Sequence, residues 1–305
     1  MKYVKTDLLN KIISENPEKL VMDSEQNYYS QIDSLCRAIS LKRETHPIVL
    51  ISGPSGSGKT STANEISKVL RNSYSCESSV ISLDNYFRSN DSPNMPKDKK
   101  GNIDLESPFC TDLDLLQSNI LSMKNGEEFM MPIFDFKKQS RSGYVPFRRE
   151  ENSIVIMEGI HALNPLVTGE NNFATCVYIS VRTRLKTSEN RVLHPRLIRL
   201  MRRLCRDSLF RGRDLQAIFS YFESVSEGEE KYILPFKYRA DFQIDTFMSY
   251  EVPVYKSFLY TKLIEVQQIF SGNICYKNIV DFLNLLLPVS EKNVPESSLI
   301  REFIG

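Results

Sequence analysis

Residues Gly53-Pro54-Ser55-Gly56-Ser57-Gly58-Lys59-Thr60 read G-x-x-x-x-G-K-T, directly after the apolar run Ile48-Val49-Leu50-Ile51. This octapeptide restricts the fold, because its mechanism needs a strand before it and a helix after it. The apolar run supplies the strand. The helix is predicted over 61–70, where Ala63, Ile66, Val69 and Leu70 have helical spacing. Glycines let the chain turn so that successive backbone N–H groups point inward at phosphate oxygens. Lys59 is then placed to reach the β- and γ-phosphates and the Thr60 hydroxyl to ligate Mg²⁺, while the helix N-terminus is itself an anion site. The predicted nucleotide contacts are Gly53, Ser55, Gly56, Ser57, Gly58, Lys59, Thr60 and Thr62. A Gly/Ser-rich turn matching by accident would lack these flanks.

Further strands are predicted over 80–83, 129–134, 154–157, 177–181 and 242–244. Helical stretches lie between them. In 112–124, for example, Leu113, Leu116, Ile120 and Met123 form one stripe and Gly126 follows the end. Strands alternating with helices, several strands being continuously apolar, predict an α/β fold of the P-loop NTPase type. Its mostly parallel sheet carries helices on both faces. Residues 1–45 are predicted to be helical and to pack beside this core. The polar stretch 88–103, with Pro93 and Pro96, reads as a mobile surface loop. From about residue 270 the chain looks helical and then becomes an irregular tail.

Composition narrows the function classes. At 305 residues, 41% hydrophobic and 25% charged, the chain suits one large or two small globular domains. A net charge of +1 gives no global field for nucleic acid or membrane. No apolar run approaches the roughly 18 residues of a membrane span, and the N-terminus lacks a signal-peptide core. Six scattered cysteines without a C-x-x-C pair, and only three histidines, argue against a disulfide framework or a zinc site. The expectation is a soluble cytoplasmic protein with no nucleic-acid or membrane partner; homo-oligomerisation is left open.

In an open parallel sheet, ligands collect beyond the C-terminal ends of the strands. Asp84 ends one predicted strand and Glu158, followed by Gly159, ends another. Phosphoryl transfer needs one acid at the metal and another to receive the acceptor's proton. Glu158 fits the first role by position. Asp84 fits the second, opening a loop with Asn85, Tyr86 and Phe87. Either acid could instead cap a following segment. Seven arginines lie between 196 and 213. In helical projection Leu197, Leu200, Met201 and Leu204 fall on one side, and Arg196, Arg199, Arg203 and Arg206 on the other. Arginine pairs bidentately with phosphate oxygens, so an Arg-rich helical lid over a nucleotide is expected. A solvated basic face or a nucleic-acid patch are the alternatives.

These residues together resemble the uridine kinase/phosphoribulokinase family of P-loop kinases, in its uridine–cytidine (nucleoside) kinase branch. The resemblance covers roughly 46–250. It runs through 53–60, Ile81-Ser-Leu-Asp84-Asn-Tyr-Phe87, Asn102-Ile-Asp104, and Pro132-Ile-Phe-Asp135-Phe136 with Arg141. It continues through Val155-Ile-Met-Glu158-Gly-Ile160, Arg202-Arg203-Leu-Cys-Arg206-Asp207 and Arg211-Gly-Arg213-Asp214. Gly159-Ile-His161, Gly228-Glu-Glu-Lys231 and the ending from Val294 to Gly305 look like a bacterial-type group of uridine kinase-like proteins. Members of that group often carry an N-terminal module similar to part of threonyl-tRNA synthetase. This chain is too short for it, and 1–45 look like its helical connector. The implied division is a helical extension over 1–45, a kinase domain over 46–290 and a tail over 291–305.

The resemblance implies an ATP-dependent nucleoside 5′-kinase acting on uridine or cytidine, with ATP and Mg²⁺. Asp84 would be the base on the 5′-hydroxyl and lie near the metal, with Glu158 and Thr60 organising it. Lys59, Arg206 and Arg211 would serve the transfer, and Arg203 the donor phosphates. Asp104 would hold the ribose, Phe134 would stack on the base where the family has tyrosine, and Gln139 stands where it has a histidine. Tyr86, Arg206, Arg211 and Arg213 complete the expected substrate set. Gln139 can donate and accept, so it could still read a base edge. Rival readings are a kinase of the same fold for another hydroxyl acceptor, such as a sugar phosphate or a pantothenate-like molecule, and a non-catalytic nucleotide-binding regulator.

Overall fold

The computed structural model describes residues 2–98, 101–170 and 172–305. A short strand β1 (Tyr3–Lys5) leads into α1 (Thr6–Glu15) and the long α2 (Pro17–Lys42). Then come β2 (Ile48–Ser52), α3 (Lys59–Tyr74), β3 (Ser78–Ser82) and α4 (Leu113–Asn125). A hairpin of β4 (Phe129–Asp135) and β5 (Ser140–Phe147) precedes β6 (Ile154–Glu158), the one-turn α5 (Pro165–Thr168) and β7 (Ala174–Ser180). The second half holds β8 (Arg184–Lys186), β9 (Val192–Leu193), α6 (Pro195–Phe210), α7 (Leu215–Tyr232) and β10 (Phe242–Asp245). It closes with α8 (Glu251–Glu265), α9 (Ile274–Leu285) and α10 (Arg301–Ile304).

Five strands in the order β10-β7-β2-β6-β3 form a fully parallel sheet. Side chains alternate across it, as the two-residue pleat requires. Val49, Ile51, Ile154, Ile156, Val177 and Ile179 join the core shared with α2, α3, α6 and α8. Ile48, Leu50, Val155, Met157, Cys176 and Tyr178 face the smaller core under α4. Burial on both faces explains why β2, β6 and β7 read as unbroken apolar runs. The strand expected over 129–134 forms, but outside this sheet: β4 pairs only with β5, antiparallel, with a register shift between Ile133 and Phe134. Both hairpin strands have alternating exposure, the mark of a ribbon covered on one side.

The N-terminal region packs against α3, with the Tyr28 hydroxyl donating to Thr62 Oγ1 at 2.8 Å. Pro17 at the first helical position and the Asn16 side chain accepting from Lys19 N start α2. The described residues of the stretch 88–103 are fastened by the Lys97–Ile103 bridge and by Asp104 N donating to Pro96 O at 2.9 Å. Lys99 and Lys100, within that stretch, lie outside the described residues. The tail expected to be irregular makes short turns, and it buries Val294, Leu299, Ile300 and Phe303 in the larger core. No helix among the described residues is long and apolar enough to cross a membrane.

One buried ion pair ties these parts to the phosphate loop. Arg202 on α6 and Glu251 at the start of α8 are both fully buried. All five guanidinium N–H groups have acceptors. Two go to Glu251 at 2.7 and 3.1 Å, one to Gly56 O at 3.1 Å, one to Thr246 Oγ1 at 3.3 Å and one to Thr246 O at 2.6 Å. Thr246 Oγ1 in turn donates to Ser57 O at 2.8 Å. Replacing Arg202 with Ala leaves Glu251 charged in a dry interior. It should lower unfolding free energy by about 3–5 kcal/mol. Arg202→Lys, with three donors for five places, should recover only part of this in urea titrations.

Candidate active site

The loop between β2 and α3 keeps its shape for local steric reasons. A side chain at Gly53 would put a Cβ 2.0 Å from Ile179 O on the neighbouring strand. Gly58, the residue before α3, has φ +84°, where an L side chain is strained. The first N–H groups of α3 have no intrahelical partner and face the loop's concavity. Arg199 donates to Ser55 O at 3.1 Å and Arg203 to Ser55 Oγ at 2.7 Å, so three consecutive arginines of the buried α6 stripe grip the loop from outside. The helical projection placed Arg199 and Arg203 on the face opposite the leucines. Both are buried, Arg199 because Glu229 of α7 meets it at 2.6 Å. Arg199 is therefore structural, while Arg203 both holds the loop and lines the cleft.

A cleft of about 460 Å³ opens over the loop. Ser55, Gly56, Gly58, Lys59, Thr60, Asp84 and Glu158 line it, with Arg203, Arg206, Arg211 and Arg213 across from them. Parallel register accounts for this meeting. Glu158 lies opposite Ile51 on one side and Ser82 on the other, so β6 ends level with the loop and with the turn that carries Asp84. Thr60 Oγ1 donates to Glu158 Oε1 at 3.2 Å. Burial, then the nearby Glu158 charge, pushes the Asp84 carboxyl up to about 6, with Lys59 opposing. Lys59 itself is pulled down by burial and held up by Glu158 and Asp84.

Converging carboxylates beside a hydroxyl, their charge only partly offset by Lys59, fit a divalent cation. Among the described residues no cluster of three or more His, Cys, Asp or Glu could hold a metal alone. Asp84 and Glu158 match the one or two carboxylates through which Mg²⁺ binds alongside substrate phosphates.

Two groups in the cleft were not among the expected site residues. Glu106 is buried, and its carboxyl is pushed up to about 7 by burial, against the pull of Arg203 and Lys59. Gly228 on α7 leaves room for it, since a Cβ there would fall 2.4 Å from Glu106 Cβ. Glu302, from the C-terminal segment, accepts from Ser61 Oγ at 2.5 Å and lies 3.9 Å from Arg206. Asp207, fully buried, organises the arginines: Arg206 at 2.9 Å, Arg211 at 3.4 Å, Arg203 at 3.9 Å and Arg213 at 4.0 Å.

Two sequence expectations need correction. Tyr86 is fully buried in the core under α4, its hydroxyl accepting from Asn119 at 3.1 Å, so it does not reach a substrate. Thr62 is buried and its hydroxyl is taken by Tyr28; it turns away from the cleft. Asp104 accepts from Glu106 N and the Tyr232 hydroxyl, while its neighbours Leu105 and Glu106 line the cleft. Ser57 Oγ is buried inside the loop without a hydrogen-bond partner.

Phe134 and Gln139 meet at a smaller cavity of about 150 Å³, lined also by Phe87, Met95, Leu105 and Phe136. It adjoins the main cleft through Phe87 and Leu105, which line both. Phe134 packs edge-on to Phe87 at 5.9 Å and to Phe136 at 5.2 Å. Gln139, at φ +53°, spends its amide on Phe136 O at 2.6 Å and on Asn90.

A parallel sheet, a phosphate-cradling loop and acids on the flanking strands define a P-loop phosphotransferase. The family model described as Phosphoribulokinase / Uridine kinase family matches residues 48–253, and the chain belongs to that family. A uridine kinase of Staphylococcus aureus (strain JH9) is 30% identical over 196 residues, 64% of this chain and 84% of that protein. Among solved structures, a candidate fructose transport system kinase from Silicibacter sp. TM1040 superposes with a TM-score of 0.52. It is 17% identical and covers 70% of this chain and 98% of its own.

The raised carboxyls make a stability prediction. A carboxyl titrating near 6 (Asp84) or 7 (Glu106) when folded, but near 4 when unfolded, binds its proton more tightly in the native state. The resulting stabilisation is complete below the unfolded value and is lost as pH rises through 6 to 7. Asp84→Asn and Glu106→Gln should therefore melt about 2–4 °C above wild type at pH 8. The gap should close below pH 5 in thermal scans of the ligand-free protein.

Proposed function

We propose that this kinase transfers the γ-phosphoryl of ATP to the 5′-hydroxyl of a pyrimidine nucleoside, uridine or cytidine. One observation carries the reading: Asp84 lines the cleft over the phosphate loop, and that cleft adjoins an aromatic side cavity through Phe87 and Leu105. The triphosphate lies in the cradle of Gly53, Ser55, Gly56, Ser57 and Gly58, with Lys59 on the β- and γ-oxygens. The nucleoside base enters the cavity of Phe87, Phe134 and Gln139. The uridine kinase similarity supports the same acceptor class.

Asp84 orients the 5′-hydroxyl and takes its proton. An elevated carboxyl value near 6 brings this base closer to the pH at which it works. Lys59 with Arg206, Arg211 and Arg213 meets the charge on the phosphoryl oxygens, and the buried Asp207 holds those arginines in place. Thr60, Glu158 and Asp84 would hold Mg²⁺, which neutralises phosphate charge when bound. A loose transition state leaves little covalent work for side chains, so positioning and charge neutralisation supply most of the rate. All six cysteines are free, in keeping with a salvage enzyme of the reducing cytoplasm.

A coupled ADP-release assay over ribo- and deoxyribonucleosides, sugar phosphates and pantothenate tests the acceptor. Uridine or cytidine should give the signal, and a response to sugar phosphate or pantothenate alone would overturn the nucleoside assignment. Lys59→Ala should abolish turnover, and Asp84→Asn should reduce it by about 10²–10⁴-fold. Near-wild-type turnover by Asp84→Asn would remove Asp84 from the role of base.

A further inference from the structure

A cavity of about 720 Å³ lies between the ends of β7 and β10, the start of α6 and the last turn of α7. It shares no lining residue with the phosphate cleft. Pro54 lines this cavity and its neighbour Ser55 the cleft, so both border the phosphate loop. Arg199 also lines it, and donates to Ser55 O at 3.1 Å.

The charge around this cavity is one-sided. Lys2, Arg182, Arg184, Arg196, Arg199 and Lys237 line it, against two carboxylates, Glu229 and Asp245. Both carboxylates are already engaged. Glu229 meets Arg199 at 2.6 Å. Asp245 accepts from Arg182 N at 2.8 Å, Thr183 N at 3.0 Å and the Thr183 hydroxyl at 2.6 Å, which fastens the turn after β7. Arg196 has only the exposed Glu230, at 3.9 Å. Lys2, Arg182, Arg184 and Lys237 have no acidic partner among the described residues. Arg184 Nε is also shut away from solvent without a hydrogen-bond partner. Burial and then Arg182 pull the Lys237 ammonium down; burial and then Arg184, Arg196 and Arg199 do the same to His194 on the same wall. A solvated basic face spreads its cations into water. Here they converge on one hollow, and one of their nitrogens is already dry.

We infer that this cavity is a second anion site, separate from the cleft, which takes a compact polyanion bearing two or more phosphate groups. A concavity lined by one sign of charge focuses its field and concentrates counter-ions. Arginine forks match phosphate oxygens, and lysine adds point charge. Four cations without an acidic partner are more than a single carboxylate ligand would neutralise. The volume falls within the roughly 300–1,000 Å³ of small-molecule sites. Lys237 Nζ stands 5.0 Å over the Tyr178 ring, so an aromatic wall steadies one of the cations. A nucleic-acid strand would call for a stripe of cations running across the surface rather than a ring of them around one hollow.

Calorimetric titration of the full chain with inorganic tripolyphosphate at low salt tests this. Wild type should show two binding events, one in the cleft and one here. Lys59→Ala should weaken the first and keep the second. Arg184→Gln and Lys237→Gln should each weaken the second about tenfold, the scale of one charge-assisted hydrogen bond, and leave the first unaltered. Neither should lower the melting temperature, because each removes like-charge repulsion. A single event that Lys59→Ala removes would overturn the inference and leave the kinase reading intact. So would a second event indifferent to both cavity variants, since that anion would sit elsewhere. Binding of a single-stranded RNA without any second tripolyphosphate event would overturn it too. A lone event that depends on Arg184 and Lys237 would bring down the donor site and support this one, and no event at all would bring down both.

Discussion

The Arg202–Glu251 pair is the constraint on which the rest of the structure depends. Two ions without solvent contact cost several kcal/mol each to desolvate, and only complete hydrogen bonding offsets that. Arg202 satisfies every donor, and three of its five bonds reach Gly56 and Thr246 rather than its ionic partner. A loop of glycines and serines would otherwise be free to adopt many shapes. Here it is held from behind by α6, by the end of β10 and by the start of α8. The concave side, with its backbone N–H groups, stays open for an anion.

The same economy of charge recurs across the cleft. Asp207 is a single buried carboxylate that gathers four arginines, and it sets their spacing before any phosphate arrives. Opposite them, Asp84, Glu106, Glu158 and Glu302 bring acids together around Lys59. Neither wall is comfortable alone. The raised carboxyls of Asp84 and Glu106 record that cost, and the ligand-free protein stores it as a site awaiting charge.

Much of this was legible in the chain. The phosphate loop, β2, β6 and β7 declare themselves because local pattern and burial agree: unbroken apolar runs are what a doubly covered parallel strand needs. Helix α4 and its Gly126 terminus, with φ +71°, were equally plain. Asp84 and Glu158 could be placed because strand ends are visible in sequence. Tyr86 and Thr62 could not be placed correctly. Both sit one or two residues from groups that line the cleft, and a single residue's turn in a 3₁₀ or α-helix sends the side chain into the core. Arg199 went unread for a related reason, since helical projection finds the face but not what covers it, and here α7 and the loop cover it.

The amino-acid sequence alone determined the fold class, the loop's chemistry and the two strand-end acids, because each follows from short-range pattern. Tertiary structure decided which charges are tools and which are struts. It also brought Glu106, Asp207 and Glu302 to the site, none of which the sequence analysis had assigned a role. Contacts such as Ser61 with Glu302, or Tyr28 with Thr62, join residues far apart in the chain. Nothing in local propensity specifies them; they arise only when helices pack and a tail finds its seat on the core.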